Sequence, residues 1–195
     1  MKEHTISGGI SYIESSDDPL SSDIGIIRDG TVTWLFDVGD GAQNIGGLNG
    51  TYNAVLSHFH RDHTGNLGHI RITDLYVSAE TFRHTHEGII VSGDIRIGEI
   101  HIFPFPSSHA KGCLALEAGD TYVFTGDGTY CCMKDGCAVY NATLLKDEIN
   151  VLKKLRAPFL LESHNMGTVR ERAAVIAELE RIYAGRVGNE PYIRV

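Results

Sequence analysis

The six residues His58-Phe59-His60-Arg61-Asp62-His63 put four metal-ligand side chains into one short segment, with an apolar run before it and a glycine-containing turn after it. On a helix, residues two apart point about 200° away from each other, so His58 and His60 converge only at a strand end or in a loop. Asp62 and His63 are adjacent, which breaks strand alternation and requires the chain to turn. The preceding Asn53-Ala54-Val55-Leu56-Ser57 reads as a short buried strand and Thr64-Gly65-Asn66 as turn chemistry. The cluster therefore falls where a strand's C-terminal end opens into a loop, the usual place for chemistry in α/β folds. A lone histidine is usually a surface residue or a hydrogen-bonded core residue. Three histidines and an aspartate in six positions cost too much to bury without a cation, and have little reason to exist as a solvated face. The segment predicts a metal site.

Upstream of it, residues 5–14 and 23–28 read as strands, and Asp29-Gly30 before residues 31–36 is a hairpin signal, so the chain opens with an antiparallel sheet. Asp37 closes the third strand in Phe36-Asp37-Val38-Gly39-Asp40-Gly41. It reads equally well as a turn former and as an acceptor that holds a ligand histidine in one orientation. The glycines between Gly39 and Gly50 permit only a short helix there.

Downstream, residues 75–78 read as a strand and 79–87 as a helical turn or two, whose His84 and His86 are spaced as surface residues. Residues 89–106 suggest two further strands, and the loop after them, Ser107 to Gly112, gives His109 the same setting as the first cluster. Residues 113–117 and 121–125 form a hairpin around Ala118-Gly119-Asp120. Its second arm runs into Gly126-Asp127-Gly128, a carboxylate between glycines that allow close backbone approach. An amphipathic helix is predicted over 144–155, stopped by Pro158; the strand 159–161 then ends in Glu162-Ser163-His164. A last helix is predicted over 168–183, with Thr168 as N-cap and Glu171 completing a capping box.

The chain has 195 residues, 42% of them hydrophobic and 22% charged, which is ordinary for a globular protein and predicts a single domain over 1–195. The 25 acidic residues outnumber 17 Lys and Arg, giving a net charge of −8 with no concentrated basic stripe, the opposite of a nucleic-acid binder. No stretch has the apolar core of a signal peptide or the roughly 18 apolar residues of a membrane span, so the expected location is cytoplasmic and the expected partner a small-molecule substrate rather than nucleic acid or membrane. Cys113, Cys131, Cys132 and Cys137 show no CxxC spacing and read as free thiols; Cys131, Cys132 and Cys137, crowded near Asp127, leave a redox role open. The sequence does not fix the oligomeric state, and a homo-oligomer is compatible with it.

His58-x-His60-x-Asp62-His63, then His109, Asp127 in Thr-Gly-Asp and His164 in Ser-His-Asn, resemble the metallo-β-lactamase superfamily in type and order, and Phe36-Asp37-Val38-Gly39 resembles its upstream aspartate turn. The resemblance runs over residues 31–184. It implies an αββα four-layer sandwich with a two-metal site at one edge. Carried over position by position, His58, His60 and His109 would hold one metal and Asp62, His63 and His164 the other, with Asp127 bridging. Imidazole and carboxylate donors without thiolate suit two Zn²⁺, and Fe or Mn use the same donors. Two such cations would share a water, lower its pKa and present it as a bridging hydroxide to an acyl or phosphoryl centre, with Asp62 sharing in proton handling.

Departures from the family's members narrow the expectation. Asp127 stands where B1 β-lactamases have a cysteine, and is similar to glyoxalase II, RNase Z, lactonases and phosphodiesterases. The chain ends too soon for a glyoxalase II helical region and shows no insertion or basic surface like that of RNase Z; His60 replaces the glutamate of the flavodiiron pattern. Tyr130, three residues after Asp127, is placed like the lactonase tyrosine that orients a substrate carbonyl, and reads more readily as core packing. The leading expectation is a dinuclear hydrolase of a small ester, thioester or lactone. The alternatives are a phosphodiesterase of a small nucleotide, with Ser107, Ser108 and Lys111 as phosphate contacts, and a mononuclear iron enzyme similar to persulfide dioxygenases. A catalytically silent metal-dependent scaffold is a further alternative.

Overall fold

The computed structural model describes residues 2–30 and 32–195; Thr31, which opens the predicted third strand, lies outside them. The strand predicted over 5–14 is two strands, β1 (Glu3–Ser7) and β2 (Ile10–Ile13), because the Gly8-Gly9 pair turns the chain between them. A two-residue hairpin follows, β3 (Ser16–Asp17) with β4 (Leu20–Ser21). Next, β5 (Ile24–Asp29) and β6 (Val32–Phe36) pair antiparallel across the Asp29-Gly30 turn. β7 (Thr51–Val55), β8 (Arg71–Val77) and β9 (Ile89–Ile90) add in parallel, giving a seven-stranded sheet ordered β1-β2-β5-β6-β7-β8-β9. The glycine-rich β6–β7 connection holds a single 3₁₀ turn, Ala42–Ile45. Two short helices accompany this sheet: α1 (Arg61–Thr64) and α2 (Ala79–Thr85), the latter capped by the Ser78 side chain accepting from Thr81 N.

The second sheet is β10 (Ile95–Ile97), β11 (Ile100–Phe105), β12 (Cys113–Ala118) and β13 (Tyr122–Gly126), extended by β16 and β17 below. Residues 89–106 thus form three strands where two are predicted, and they are split between the sheets. β14 (Cys132–Lys134) and β15 (Cys137–Asn141) lead to α3 (Ala142–Leu152), whose N-cap Asn141 accepts from the amides of Thr143 and Leu144. β16 (Phe159–Glu162), β17 (Arg170–Glu171), α4 (Arg172–Ala184) and β18 (Tyr192–Arg194) complete the chain, and β14-β15-β18 form a small third sheet. The predicted capping box is absent. Residues 170 and 171 are drawn into pairing with β16, Glu171 occupies the N-cap without a side-chain bond, and Thr168 Oγ1 donates to Asn165 Oδ1 instead.

The sheets pack face to face over Trp34, Phe36, Phe124, Leu114, Leu116 and Leu161, all buried. Each such side chain contributes about 1.5–3 kcal/mol by leaving water. The outer face of the second sheet is covered by α3 and α4 through Leu145, Ile149, Leu152, Val175 and Leu179. The outer face of the first sheet is covered mainly by α2 and short turns, with Ile45, Leu48, Leu67 and Phe82 over Leu35, Leu56 and Val77. The architecture is therefore αββα with unequal outer layers. No helix among the described residues is long and apolar enough to cross a membrane.

Each sheet contains one parallel neighbour pair that matters for the site, β6–β7 and β13–β16. Their C-terminal ends lie along one edge, where Asp37, His58, Asp127 and His164 follow β6, β7, β13 and β16. Gly126 (φ 59°) brings the sheets together there, since a Cβ at this position would lie 2.5 Å from Ser57 Cβ.

Candidate metal centre

All seven predicted ligands meet at this edge in two donor sets. His58, His60 and His109 form one, and Asp62, His63, Asp127 and His164 the other, with donor atoms inside each set lying within 4.8 Å of one another. In the first set His60 Nδ1 is 2.9 Å from His58 Nε2 and 3.2 Å from His109 Nε2. In the second, Asp62 Oδ2 is 3.4 Å from His63 Nε2 and 3.2 Å from His164 Nε2. Donors arranged tetrahedrally about 2.0–2.1 Å from a shared Zn²⁺ would be about 3.3 Å apart, so the spacing is that of ligands around a common centre. Asp127 Oδ2 reaches both sets, 3.4 Å from His109 Nε2 and 3.4 Å from His63 Nε2.

The fit to cations also shows in what is left unsatisfied. His63 Nε2 and Asp127 Oδ1 are buried without a hydrogen bond, an expensive state unless another group binds there. His58 and His63 are fully buried, whereas solvent reaches His60, His109 and His164, so the cluster opens on one side only.

The local backbone explains how adjacent residues serve different sets. His60, extended (φ −64°, ψ 146°), caps α1, and the first turn then carries Asp62 and His63 around to the other set. Three backbone bonds pin that turn: Ser22 N to Asp62 O, Val38 N to His63 O and Asn66 N to Gly39 O. His164 takes a left-handed conformation, φ 62°.

A buried polar network orients the imidazoles. Asp37, also left-handed at φ 62°, accepts from Ser57 N at 2.7 Å, from Ser57 Oγ at 2.8 Å and from His63 Nδ1 at 2.7 Å. Because the Ser57 hydroxyl gives its proton to Asp37, it accepts from His58 Nδ1 at 2.9 Å. One carboxylate thus turns the Nε2 lone pairs of His58 and His63 toward the two sets. Of the two sequence readings of Asp37, turn former and ligand-orienting acceptor, both hold.

Asp23 and Ser57 were not foreseen. Asp23, buried ahead of β5, accepts from Ser15 N and from Met166 N, and so holds the His164 loop to the first sheet. Tyr130 braces the same loop: its hydroxyl donates to Ser163 O at 2.6 Å. The hydroxyl expected to orient a substrate carbonyl is, in this structure, the donor to the Ser163 carbonyl. His84, expected at the surface, is exposed, and its ring stacks on Phe59 (centroids 4.2 Å apart, 11° between planes) beside the His60 ligand.

Electrostatics match this arrangement. Burial and the neighbouring His63 push His58 down to about 2, which keeps its ring neutral and able to bind a metal. Burial opposes charge on His63, yet Asp37, Asp127 and Asp62 hold its pKa well above the ordinary value. Burial raises Asp62 and Asp127, but their histidine neighbours leave both below the usual carboxylate range. Metal binding therefore competes with protons for these donors, and affinity falls as pH falls. Asp37→Asn removes the charge that orients His63, with an expected 10–100-fold loss of metal affinity in a competitive titration; unchanged affinity would show that Asp37 is only a turn former.

No family model and no curated protein matches the chain. Many solved structures share its fold. A flavodiiron protein from Giardia intestinalis is similar at TM-score 0.72 and 13% identity over 95% of this chain, which spans 60% of that one. A metallo-β-lactamase from Pseudomonas aeruginosa, in its mono-zinc form, gives 0.70 and 15% over 94% of each chain. An archaeal metallo-β-lactamase superfamily protein from Sulfolobus tokodaii gives 0.60 and 14%, covering 93% of this chain and 89% of its own. The fold is the metallo-β-lactamase fold.

Proposed function

We propose that this chain, with its metallo-β-lactamase fold, is a metal-dependent hydrolase of a small ester, thioester or lactone that takes two divalent ions, Zn²⁺ by donor type, with Fe and Mn accepting the same donors. The observation that carries the reading is the sharing of Asp127 Oδ2 between two donor sets. His58, His60 and His109 would hold one ion, Asp62, His63 and His164 the other, and Asp127 both. Ions so placed supply a water of lowered pKa and an electrophile for the developing negative charge.

The remaining work belongs to side chains. Asp37 and Ser57 keep His58 and His63 in one tautomer, while Asp23 and Tyr130 hold the His164 loop in place. Of the cluster's two carboxylates Asp62 is the more exposed, and it would share in proton handling beside its role as a ligand.

Acyl substrates are favoured over phosphodiesters because the hydroxyls expected to grip phosphate, those of Ser107 and Ser108, are buried and the expected cation, Lys111, is paired. Ser107 Oγ accepts from His109 N, Ser108 Oγ accepts from Asn141 N, and Lys111 pairs with Glu80 at 3.3 Å. A cytoplasmic setting and a small-molecule partner, without nucleic acid or membrane, suit the free thiols and the acidic surface.

The test is metal analysis of protein purified without added metal, followed by a panel of 4-nitrophenyl acetate, a thioester, a lactone and bis(4-nitrophenyl) phosphate. Two ions per chain and chelator-sensitive acyl turnover, unchanged in Lys111→Ala, are expected. Turnover of the phosphodiester alone, one Fe per chain, or full metal loading with no turnover would each overturn the reading.

A further inference from the structure

We propose a second small-molecule site, for an anion carrying a short apolar body, on the outer face of the second sheet at the edge away from the metal centre. His101 lies near the start of β11 and His109 beyond its end, so roughly 13 Å of strand and then the loop that carries His109 separate the two sites.

A cavity of about 330 Å³ opens where the sheet continues past the end of α3. This volume is near the lower end of small-molecule sites. Its apolar wall is Phe103, Val151 and Leu155, and Arg96, Lys154 and Arg156 reach it from two sides, the first from β10 and the others from the segment after α3.

Carboxylates within 4 Å of these three cations are few. Arg96 and Lys154 have none among the described residues. Arg156 has only Asp120 at 3.8 Å, both partners being largely exposed. The cavity's own carboxylates are already occupied. Glu117 accepts from the amides of Arg156 and Ala157 and lies 3.2 Å from His101 Nδ1, and Asp94 lies 3.2 Å from His101 Nε2. Glu117 thereby fixes the backbone that presents Arg156, and His101 lies between the two acids, so both carboxylates have protein partners while the three cations line the cavity with the apolar wall. A carboxylate or phosphate head between the cations, with an acyl or aromatic body on Phe103 and Leu155, satisfies both halves.

The probe for this site is 1-anilinonaphthalene-8-sulfonate, titrated by fluorescence into metal-loaded protein and competed with inorganic pyrophosphate. One saturable site displaced by pyrophosphate is expected. R96A/K154A, at two exposed positions, should leave the unfolding midpoint unchanged and weaken the probe at least tenfold. L155W, which fills the cavity while keeping every charge, should weaken it as much. Equal binding in both variants places the probe elsewhere and overturns the site, as does the absence of saturable binding up to millimolar concentrations. Neither readout uses hydrolytic activity, so the result is independent of the function proposed for the metal centre.

Discussion

Asp127→Ala lowers the metal content of the purified protein below two ions per chain and cuts acyl turnover about a thousandfold. This is the largest effect expected of any single substitution, because among the described residues Asp127 Oδ2 is the one donor atom within 3.4 Å of ligands from both sets. With two ions bound as proposed, losing it would remove a ligand from each and the negative charge that lets the cations lie close together. Metal activation of water and carbonyl contributes several kcal/mol to hydrolysis, and about 4 kcal/mol corresponds to three powers of ten in rate. The decisive measurement is the metal-to-protein ratio taken together with kcat. A variant that retains two ions and half its turnover would mean that the shared oxygen is an accident of packing.

Glu148→Gln stabilises the protein, by an amount that grows with pH. Glu148 lies on the buried face of α3 with both carboxyl oxygens lacking a hydrogen-bond partner. Burial, and then the charge of Glu162, raise its pKa to about 9 from the ordinary 4.5. The folded state therefore holds a proton that the unfolded chain releases. Stability contributed by that proton is complete below pH 4.5, declines as pH rises, and is exhausted above 9. At neutral pH the difference amounts to about 3 kcal/mol, at 1.36 kcal/mol per pH unit, and glutamine does not incur it. Thermal unfolding of both proteins between pH 4 and 9 checks this. The curves should meet at the acid end and separate toward the alkaline end; a constant gap would mean that Glu148 does not titrate between those limits.

The ligands were legible in the sequence because each follows a short apolar strand and stands among glycines or turn residues, a local pattern that needs no tertiary information. Asp37 was visible for the same reason. Ser57 left a weaker mark, a hydroxyl directly before the first ligand histidine at the end of a buried strand. Asp23 left none, since its partner Met166 N is 143 positions away. The capping box failed because pairing with β16 claimed the backbone that a helix start needs. The small sheet of β14, β15 and β18 escaped notice because strands of only three to five residues carry little periodicity. Glu148 was readable and overlooked: with Leu145, Ile149 and Leu152 it occupies one helix face, where a carboxylate conflicts with its neighbours.

The gathering of all donors along one edge leaves the opposite edge, with its tight turns at Gly30, Gly98 and Gly119, outside the chemistry. A residue inserted between Ser57 and His63 would misdirect at least one imidazole, whereas residues inserted at Gly119-Asp120 lengthen an exposed turn and reach no ligand. The molecule is thus divided into a margin that cannot drift and a margin that can. New recognition, including tags and fused domains, is most readily acquired at the second.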